Sequence, residues 1–207
     1  LIDDTIAKKT KPSSRAAQPT ESCGYHFSHT DGKSVWGYQV VQMMMKSGQH
    51  AHPYDFRLFD KETTDSKIQL SIDMMNQLPK FKQPSYLLCD SWYTSRKIIE
   101  AALSKGTHVI GALKTNRILY PQGICIQVKQ FATHIQKEDT DLVTIGVEMY
   151  RVYRYEGALN DIENGIVLLC WPHDASMEPK NMRCFLSTDT ELTSEQILTY
   201  YSHRWSI

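Results

Sequence analysis

The stretch Tyr86-Leu-Leu-Cys-Asp-Ser-Trp-Tyr-Thr-Ser-Arg-Lys-Ile-Ile-Glu100 decides the fold of this 207-residue chain. Residues 86–89 are uncharged, follow Pro84 and precede a polar turn, which predicts a short buried strand. The spacing of one helix face then appears in Ile98, Ile99, Ala102 and Leu103. Asp90 therefore stands at a strand end, where a side chain leaves the core with a rigid support beneath it. The alternative is that Asp90 or Ser91 only caps the following helix.

A second strand is predicted directly after this helix. Gly106 ends the helix predicted over residues 95–105, and residues 107–113 are again rich in residues that favour strands. Two apolar strands joined by a helix predict a parallel pair whose sheet is covered on both faces.

The upstream part of the chain predicts a hairpin, a third strand and a helix. Asp31-Gly32 separates residues 25–30 from residues 33–45, and both flanks favour strands. Residues 54–59 alternate apolar and polar side chains and predict another strand. A helix that begins near Ser66 and ends before Pro79 is predicted from the spacing of Ile68, Ile72 and Met75.

The two ends of this upstream part carry the remaining predictions. Leu1–Thr5 has the pattern of the last residues of a strand, which would bring Asp3 and Asp4 to a sheet edge. The polar segment Lys8–Ser22 predicts a mobile loop.

The second half of the chain predicts a β-rich insertion before a closing helix. Short strands are predicted over residues 143–155 and 165–171, with a polar turn at residues 157–164. Thr193 and Gln196 form a capping box that opens a helix containing Ile197, Tyr201 and Arg204. We divide the chain into a first core part (1–117), an insertion subdomain (118–180) and a closing strand and helix (181–207). The element order predicts an α/β fold of the RNase H-like class, a mixed sheet flanked by helices.

Composition limits the function classes. Lys plus Arg and Asp plus Glu both number 23, so no global charge attracts nucleic acid and any such binding is local. Five scattered cysteines without a C-x-x-C pair favour reduced thiols and a cytoplasmic protein. No run approaches the length of a membrane span, which predicts no membrane partner. The first residue is not Met, and we expect the chain to be a fragment of a longer protein.

Acids at strand ends suit metal-dependent phosphoryl transfer. Asp3 and Asp90 would supply hard oxygen ligands of the kind Mg²⁺ prefers. Asp4 is the alternative to Asp3, because adjacent strand residues face opposite ways. Zinc is disfavoured at Cys23, His26 and His29, because this cluster lacks the second ligand pair of a structural site. A triplet such as Asp3-Asp4-Thr5 is also common in plain turns.

The last residues, Tyr201-Ser-His-Arg-Trp-Ser-Ile207, resemble the signature helix of DDE transposases of bacterial insertion sequences. That motif runs Y-x2-R-x3-E-x6-K; Tyr201 and Arg204 match its first two residues, and its glutamate would follow Ile207. Asp3-Asp4-Thr5 and Leu87-Leu-Cys-Asp-Ser-Trp92 resemble the first and second acidic motifs. Lys114-Thr-Asn-Arg117 is similar to a basic stretch that these enzymes carry after the next strand.

The resemblance implies a catalytic core that cleaves and joins DNA at element ends with two Mg²⁺ ions. Asp3 and Asp90 would be the metal ligands, with Tyr201 and Arg204 as further catalytic residues. DNA would be contacted by Trp92, Lys114, Asn116 and Arg117. The implied partners are double-stranded DNA at transposon ends and further copies of the protein.

Bland alternatives remain for these residues. Tyr201 and Arg204 could simply pack an amphipathic helix on the sheet, and Lys114 and Arg117 could belong to a solvated turn. Two other functions also fit the pattern, a nuclease without strand transfer and a non-catalytic remnant that binds DNA or a partner. Because the glutamate position lies beyond Ile207, we expect residues 1–207 to fold without cutting DNA. If they do cut, Glu191 or Glu195 would be the acid to examine.

Overall fold

The computed structural model describes residues 1–12, 20–62, 66–160 and 162–205. The predicted loop Lys8–Ser22 therefore lies partly outside the described residues, as do residues 206 and 207. The chain divides into two compact units, Leu1–Pro79 and Lys80–Ile207. None of the described helices is long and apolar enough to cross a membrane.

The first unit is an antiparallel four-stranded sheet with one helix. Its elements are β1 Ile2–Lys8, β2 Gly24–Ser28, β3 Lys33–Ser47, β4 His50–Phe59 and α1 Lys67–Asn76. The long strand β3 pairs with all three others. The hairpin predicted around Asp31-Gly32 is confirmed as β2 and β3, and the predicted third strand is β4 with an earlier start.

The prediction that β1 ends just after Asp3 and Asp4 is wrong. The strand continues to Lys8, so both acids lie near its beginning. The reason is that β3 is long enough to pair with residues 2–8 throughout, ending at Gly37 opposite Lys8. A Cβ at Gly37 would lie 2.4 Å from the carbonyl oxygen of Ala7, so only glycine permits this close pairing.

Helix α1 is confirmed and Met75 is buried as predicted, but the other buried positions differ from the predicted ones. Ser66 caps the helix by accepting a hydrogen bond from the Gln69 N–H. The fully buried positions are Ser71, Met74 and Met75, whereas Ile68 and Ile72 are half-buried. This orientation agrees with the ion pair that joins Lys67, one turn before Ser71, to Asp4 of the sheet.

The second unit is an eight-stranded mixed sheet flanked by helices. Its elements are β5 Ser85–Cys89, α2 Arg96–Ser104, β6 Thr107–Ala112, β7 Ile118–Leu119, β8 Ile126–Gln127, α3 Val128–Phe131, β9 Asp141–Ile145, β10 Glu148–Leu159, β11 Ile162–Pro172, β12 Arg183–Ser187 and α4 Ser194–Ser202. The strand order is β5-β6-β12-β11-β10-β7-β8, and β9 pairs with β10. The predicted parallel pair is confirmed as β5 and β6.

The strands of residues 118–180 belong to this same sheet. The single strand predicted over residues 143–155 is wrong, because Gly146 has φ +62° and turns the chain into the β9–β10 hairpin. The predicted polar turn over residues 157–164 is shorter than expected, since β10 continues to Leu159 and β11 begins at Ile162. The division of the chain into 1–117, 118–180 and 181–207 stays a prediction.

Helices cover both faces of the second sheet. Helix α4 packs on one face, in a core that contains Ile110, Val152, Ile166, Leu168, Cys170, Ile197 and Tyr201. Ile99 of α2 lines a cavity with Leu113 and Leu186. Those two residues alternate with Ala112 and Phe185, which pack against the core of α4, so α2 lies on the opposite face.

Candidate active site

The Asp90 turn, residues 90–94, is built by the side chain of Asp90 itself. Asp90 Oδ1 accepts hydrogen bonds from the backbone N–H groups of Trp92 (2.9 Å) and Tyr93 (3.0 Å). The Asp90 carbonyl accepts from the N–H and the hydroxyl of Thr94, at 3.0 and 2.7 Å. Among the described residues no donor reaches Oδ2. The turn thus fixes the orientation of a partly exposed carboxylate and leaves one oxygen for another ligand.

Gly111 of β6 makes room for this turn. A Cβ at position 111 would lie 2.3 Å from Thr94 Oγ1 and 3.1 Å from Cys89 Sγ. Thr94 is buried, and its hydroxyl lies 3.5 Å from the Cys89 sulfur. The missing side chain of Gly111 therefore lets the Asp90 turn pack directly on the neighbouring strand.

Arg117 fastens the same turn from the predicted basic stretch. Its Nη2 donates a 2.9 Å hydrogen bond to the Thr94 carbonyl, and its side chain is half-buried. Lys114 and Asn116 are exposed, and Trp92 is 43% exposed with its ring edge-on to Tyr93. The structure therefore places Trp92 and Arg117 at the Asp90 turn, with Lys114 and Asn116 exposed in the same stretch as Arg117, and the Arg117 guanidinium binds the protein's own backbone.

Helix α4 brings Tyr201 and Arg204 to the Asp90 region. Tyr201 is buried against Phe185, with ring centroids 4.7 Å apart, and Arg204 Nη1 donates to its hydroxyl at 3.3 Å. Burial raises the pKa of Tyr201; the positive charge of Arg204 lowers it, and the charge of Asp90 raises it. Asp90 and Arg204 therefore both lie close enough to the Tyr201 phenol for their opposite charges to change its pKa. By strand alternation Asp90 follows Leu88 onto the face that α4 covers.

Cys89 lies among these groups and is chemically inert. Burial raises the pKa of its thiol to about 11, and Asp90 adds to this effect while Thr94 and Arg204 oppose it. A fully buried thiol with a raised pKa is a poor nucleophile at neutral pH. Cys89 therefore contributes packing beneath the Asp90 turn.

Arg154 on β10 positions the start of α4, and sequence reasoning missed it. Its guanidinium donates to the carbonyls of Leu192 (2.8 Å) and Thr190 (2.9 Å), just before the helix. The predicted capping box of Thr193 and Gln196 is confirmed. Arg154 gave no signal in the sequence, because its partners are carbonyl groups far along the chain.

The first unit separates Asp3 from Asp4. Asp4 Oδ2 accepts from Gln39 Nε2 (2.7 Å) and from Lys67 Nζ (3.0 Å), and the Asp4 and Lys67 side chains are 19% and 17% exposed. Asp3 lies opposite Gln42 of β3, so it points to the other face of the sheet. Asp4 is thus engaged in holding α1 against the sheet.

The donor types suit a hard divalent cation. Carboxylate oxygens are the ligands that Mg²⁺ accepts, and Asp90 presents one that is oriented by backbone N–H groups. Among the described residues no three His, Cys, Asp or Glu side chains group as a metal site would require, and this includes Cys23, His26 and His29. Asp3 and Asp90 belong to different sheets, and their sharing of a metal pair stays a prediction.

Comparison with known proteins identifies a sequence family and a similar solved structure. The sequence model of the transposase DDE domain family matches residues 1–207, the whole chain. No curated protein matches the sequence. Among solved structures, a chain of the cryo-EM structure of the piggyBac transposase synaptic complex with hairpin DNA is similar, with a TM-score of 0.52 and 15% sequence identity. The match covers 97% of this chain but 36% of that one, so this chain spans about a third of its length. At this identity the likeness concerns the fold, and the predicted RNase H-like class is confirmed.

Proposed function

Because the chain belongs to the transposase DDE domain family, we propose that it is the catalytic region of an insertion-sequence transposase that cuts and joins DNA at element ends. The substrate would be double-stranded DNA, bound by several copies of the protein. We place this activity in the cytoplasm, in keeping with five free thiols.

One observation carries the proposal: Asp90 lies near Tyr201 and Arg204 in a region where every group is held in place. Asp90 is oriented by its own turn, and the turn is fastened by Arg117. The charges of Arg204 and Asp90 both reach the Tyr201 phenol, and a guanidinium in this region is suited to hold a phosphate oxygen or an acid. Tyr201 stays a neutral phenol and supports Arg204 through its hydroxyl.

Family membership supports a divalent metal ion, and we propose Mg²⁺. Asp90 would hold it together with Asp3 of the first acidic motif, while Asp4 pairs with Lys67. When bound, Mg²⁺ stabilises negative charge on phosphate oxygens and lowers the pKa of water. The contribution of this chain is to orient the carboxylates and to place a cationic group beside them.

DNA contact would fall to the exposed residues around the Asp90 turn. Trp92 offers an exposed ring, and Lys114 and Asn116 offer a cation and an amide. Arg117 would act on DNA only indirectly, since its guanidinium already binds the Thr94 carbonyl.

The test is cleavage of supercoiled plasmid DNA in the presence of Mg²⁺. We expect residues 1–207 alone to cut poorly, because the motif requires a third carboxylate at the position after Ile207. The chain continued past Ile207 with glutamate at that position should cut at least about 100-fold faster, since charge stabilisation at a phosphoryl centre has this magnitude.

In the continued chain, Asp90→Asn should abolish cleavage while Asp4→Asn retains most of it. Equal Mg²⁺-dependent cleavage by residues 1–207 would show that the third acid is assigned wrongly. Absence of cleavage in both chains, with folding and DNA binding intact, would favour a non-catalytic DNA-binding role. Adding DNA ends with free 3′-hydroxyls separates joining from simple hydrolysis, the reaction of a nuclease.

A further inference from the structure

The first unit exposes several aromatic rings on one face of its sheet. Helix α1 covers the face that carries Asp4, through Lys67. The opposite face exposes Tyr25 (49%), Phe27 (54%), Phe56 (67%) and Leu58 (41%). Contiguous exposed apolar surface is typical of an interaction site.

Strand register places these side chains on the face of Asp3. Tyr25 is opposite Trp36, and their rings meet edge-on with centroids 5.2 Å apart. Phe56 is opposite Gln42, as is Asp3 on the other neighbouring strand. We call Tyr25, Phe27, Trp36, Phe56 and Leu58 the aromatic face. It runs from position 34 to position 42 of β3, about 26 Å at the usual rise of a strand.

Positive charge lies at the Tyr25 and Trp36 end of this face, whereas Asp3 lies beside Phe56 at the other end. Lys11 Nζ is 5.2 Å from the centroid of the Tyr25 ring. The Lys9 N–H donates to the Trp36 carbonyl, so Lys9 continues β1 opposite Trp36 on the same face. Both lysine side chains are exposed. An apolar protein partner would gain nothing from these two cations, whereas a nucleic-acid backbone would.

We propose that the aromatic face binds single-stranded DNA, with unpaired bases stacked on Tyr25, Phe27 and Phe56 and phosphates near Lys9 and Lys11. Flat rings with adjacent cations are the general requirement for such binding, and a length of about 26 Å suits several nucleotides. Paired bases cannot reach the rings, so duplex DNA would not bind here. The inference rests on the proposed function only in taking DNA as the substrate.

Fluorescence anisotropy with a labelled 12-nucleotide single strand, in EDTA, tests this on residues 1–207. Phe27→Leu and Phe56→Leu keep an apolar side chain but remove the ring. Each should weaken binding by about 5-fold, the lower end of one stacked base. The double variant should weaken it by about 25-fold, because the two positions are too far apart to couple.

Two further variants separate stacking from charge. Phe27→Trp should restore or improve the affinity, which a merely structural phenylalanine would not do. Lys11→Gln should lower the slope of log affinity against log salt by about 0.7. Phe81→Leu is the matched control, because Phe81 is 38% exposed in the second unit and should leave the affinity unchanged.

Unchanged single-strand affinity in both leucine variants would overturn the inference. An equal loss of duplex and single-strand binding in these variants would also overturn it. A change of oligomeric state in these variants, measured by light scattering, would likewise overturn it and would assign the aromatic face to contact with another copy of the chain. Cleavage of duplex DNA by the continued chain is measured separately. Cleavage of duplex DNA without single-strand binding would refute only the role of the aromatic face. Single-strand binding without cleavage would refute only the proposed function.

Discussion

Asp90 and Asp4 are both bound by neighbouring groups, but the donors differ. Asp90 accepts from two backbone N–H groups, whereas Asp4 accepts from the charged Lys67 and from Gln39. Backbone donors orient a carboxylate without neutralising it, while a lysine compensates its charge. The first arrangement prepares an acid for a cation, and the second uses an acid to attach a helix to a sheet. The type of hydrogen-bond donor therefore indicates the role of each acid better than the position of the acid along its strand does.

Metal affinity should show the largest difference between these acids. We expect Asp90→Asn to weaken Mn²⁺ binding by at least about 10-fold, because even indirect support of a metal ligand has this effect. Asp3→Asn should act similarly, and Asp4→Asn should stay within about 3-fold of the unchanged chain. Mn²⁺ titration followed by electron paramagnetic resonance measures all three. A loss in Asp4→Asn equal to that in Asp90→Asn would make Asp4 the first ligand and reverse the comparison.

In the first unit, the ion pair between Asp4 and Lys67 should contribute to the free energy of unfolding. Lys67→Met removes one partner of a mostly buried pair and should lower the unfolding free energy by about 1–3 kcal/mol. In the double variant with Asp4→Asn, the loss should be smaller than the sum of the two single losses. Urea unfolding measures these values. Lys33→Met changes an exposed lysine of β3 and should have little effect; additive losses at Asp4 and Lys67 would argue against the ion pair.

Arg117 and Lys114 provide a second contrast, within the basic stretch. Arg117→Ala leaves the Thr94 carbonyl without its donor and should cost about 1–2 kcal/mol of stability. Lys114→Ala, at an exposed site, should stay within about 0.5 kcal/mol but weaken duplex binding. Thermal unfolding and anisotropy with duplex DNA separate the two effects. An unchanged melting temperature in Arg117→Ala would show that Arg117 does not stabilise the Asp90 turn.

The smallest expected effect is a pH dependence in the first unit. Burial lowers the pKa of His26 below its ordinary 6.5, Lys61 and Lys67 lower it further, and Gln39 and Asp60 oppose this. The unfolded chain then binds a proton near pH 6.5 that the folded chain accepts only at lower pH. Stability should therefore fall as the pH drops below 6.5 and level off below the folded pKa.

His26→Gln should flatten that fall, whereas His29→Gln, at an exposed position, should not. Urea midpoints between about pH 7 and about pH 5 provide the measurement. A parallel fall in the unchanged chain and in His26→Gln would assign the pH dependence to other groups.

The sequence predicted most elements because local signals agreed with the fold. Asp31-Gly32, the capping box at Thr193 and the apolar run before Asp90 each act over a few residues. The end of β1 could not be predicted, because its last residues pair with a strand thirty positions later. The burial of Ser71 and Met74 on α1 was missed for the same reason, since Lys67 pairs with an acid far away in the sequence.

The candidate site likewise contains features that the sequence predicted and features that it could not predict. Motif positions predicted Asp90, Tyr201 and Arg204 as site residues, and in the structure Arg204 contacts Tyr201 while the charge of Asp90 reaches the same phenol. Motif positions could not show that Arg117 binds backbone or that Arg154 holds the start of α4. Both facts depend on carbonyl groups, which every residue possesses and no sequence pattern marks.

Gly111 carries a warning for genetic screens of this chain. Any larger residue there would push against Thr94 and Cys89, and thereby displace the Asp90 turn from below. Such a substitution changes no charge and touches no phosphate, yet its phenotype would match that of losing Asp90. A map of inactivating substitutions would therefore suggest a chemical role for position 111, although its contribution is to leave space for Thr94 and Cys89.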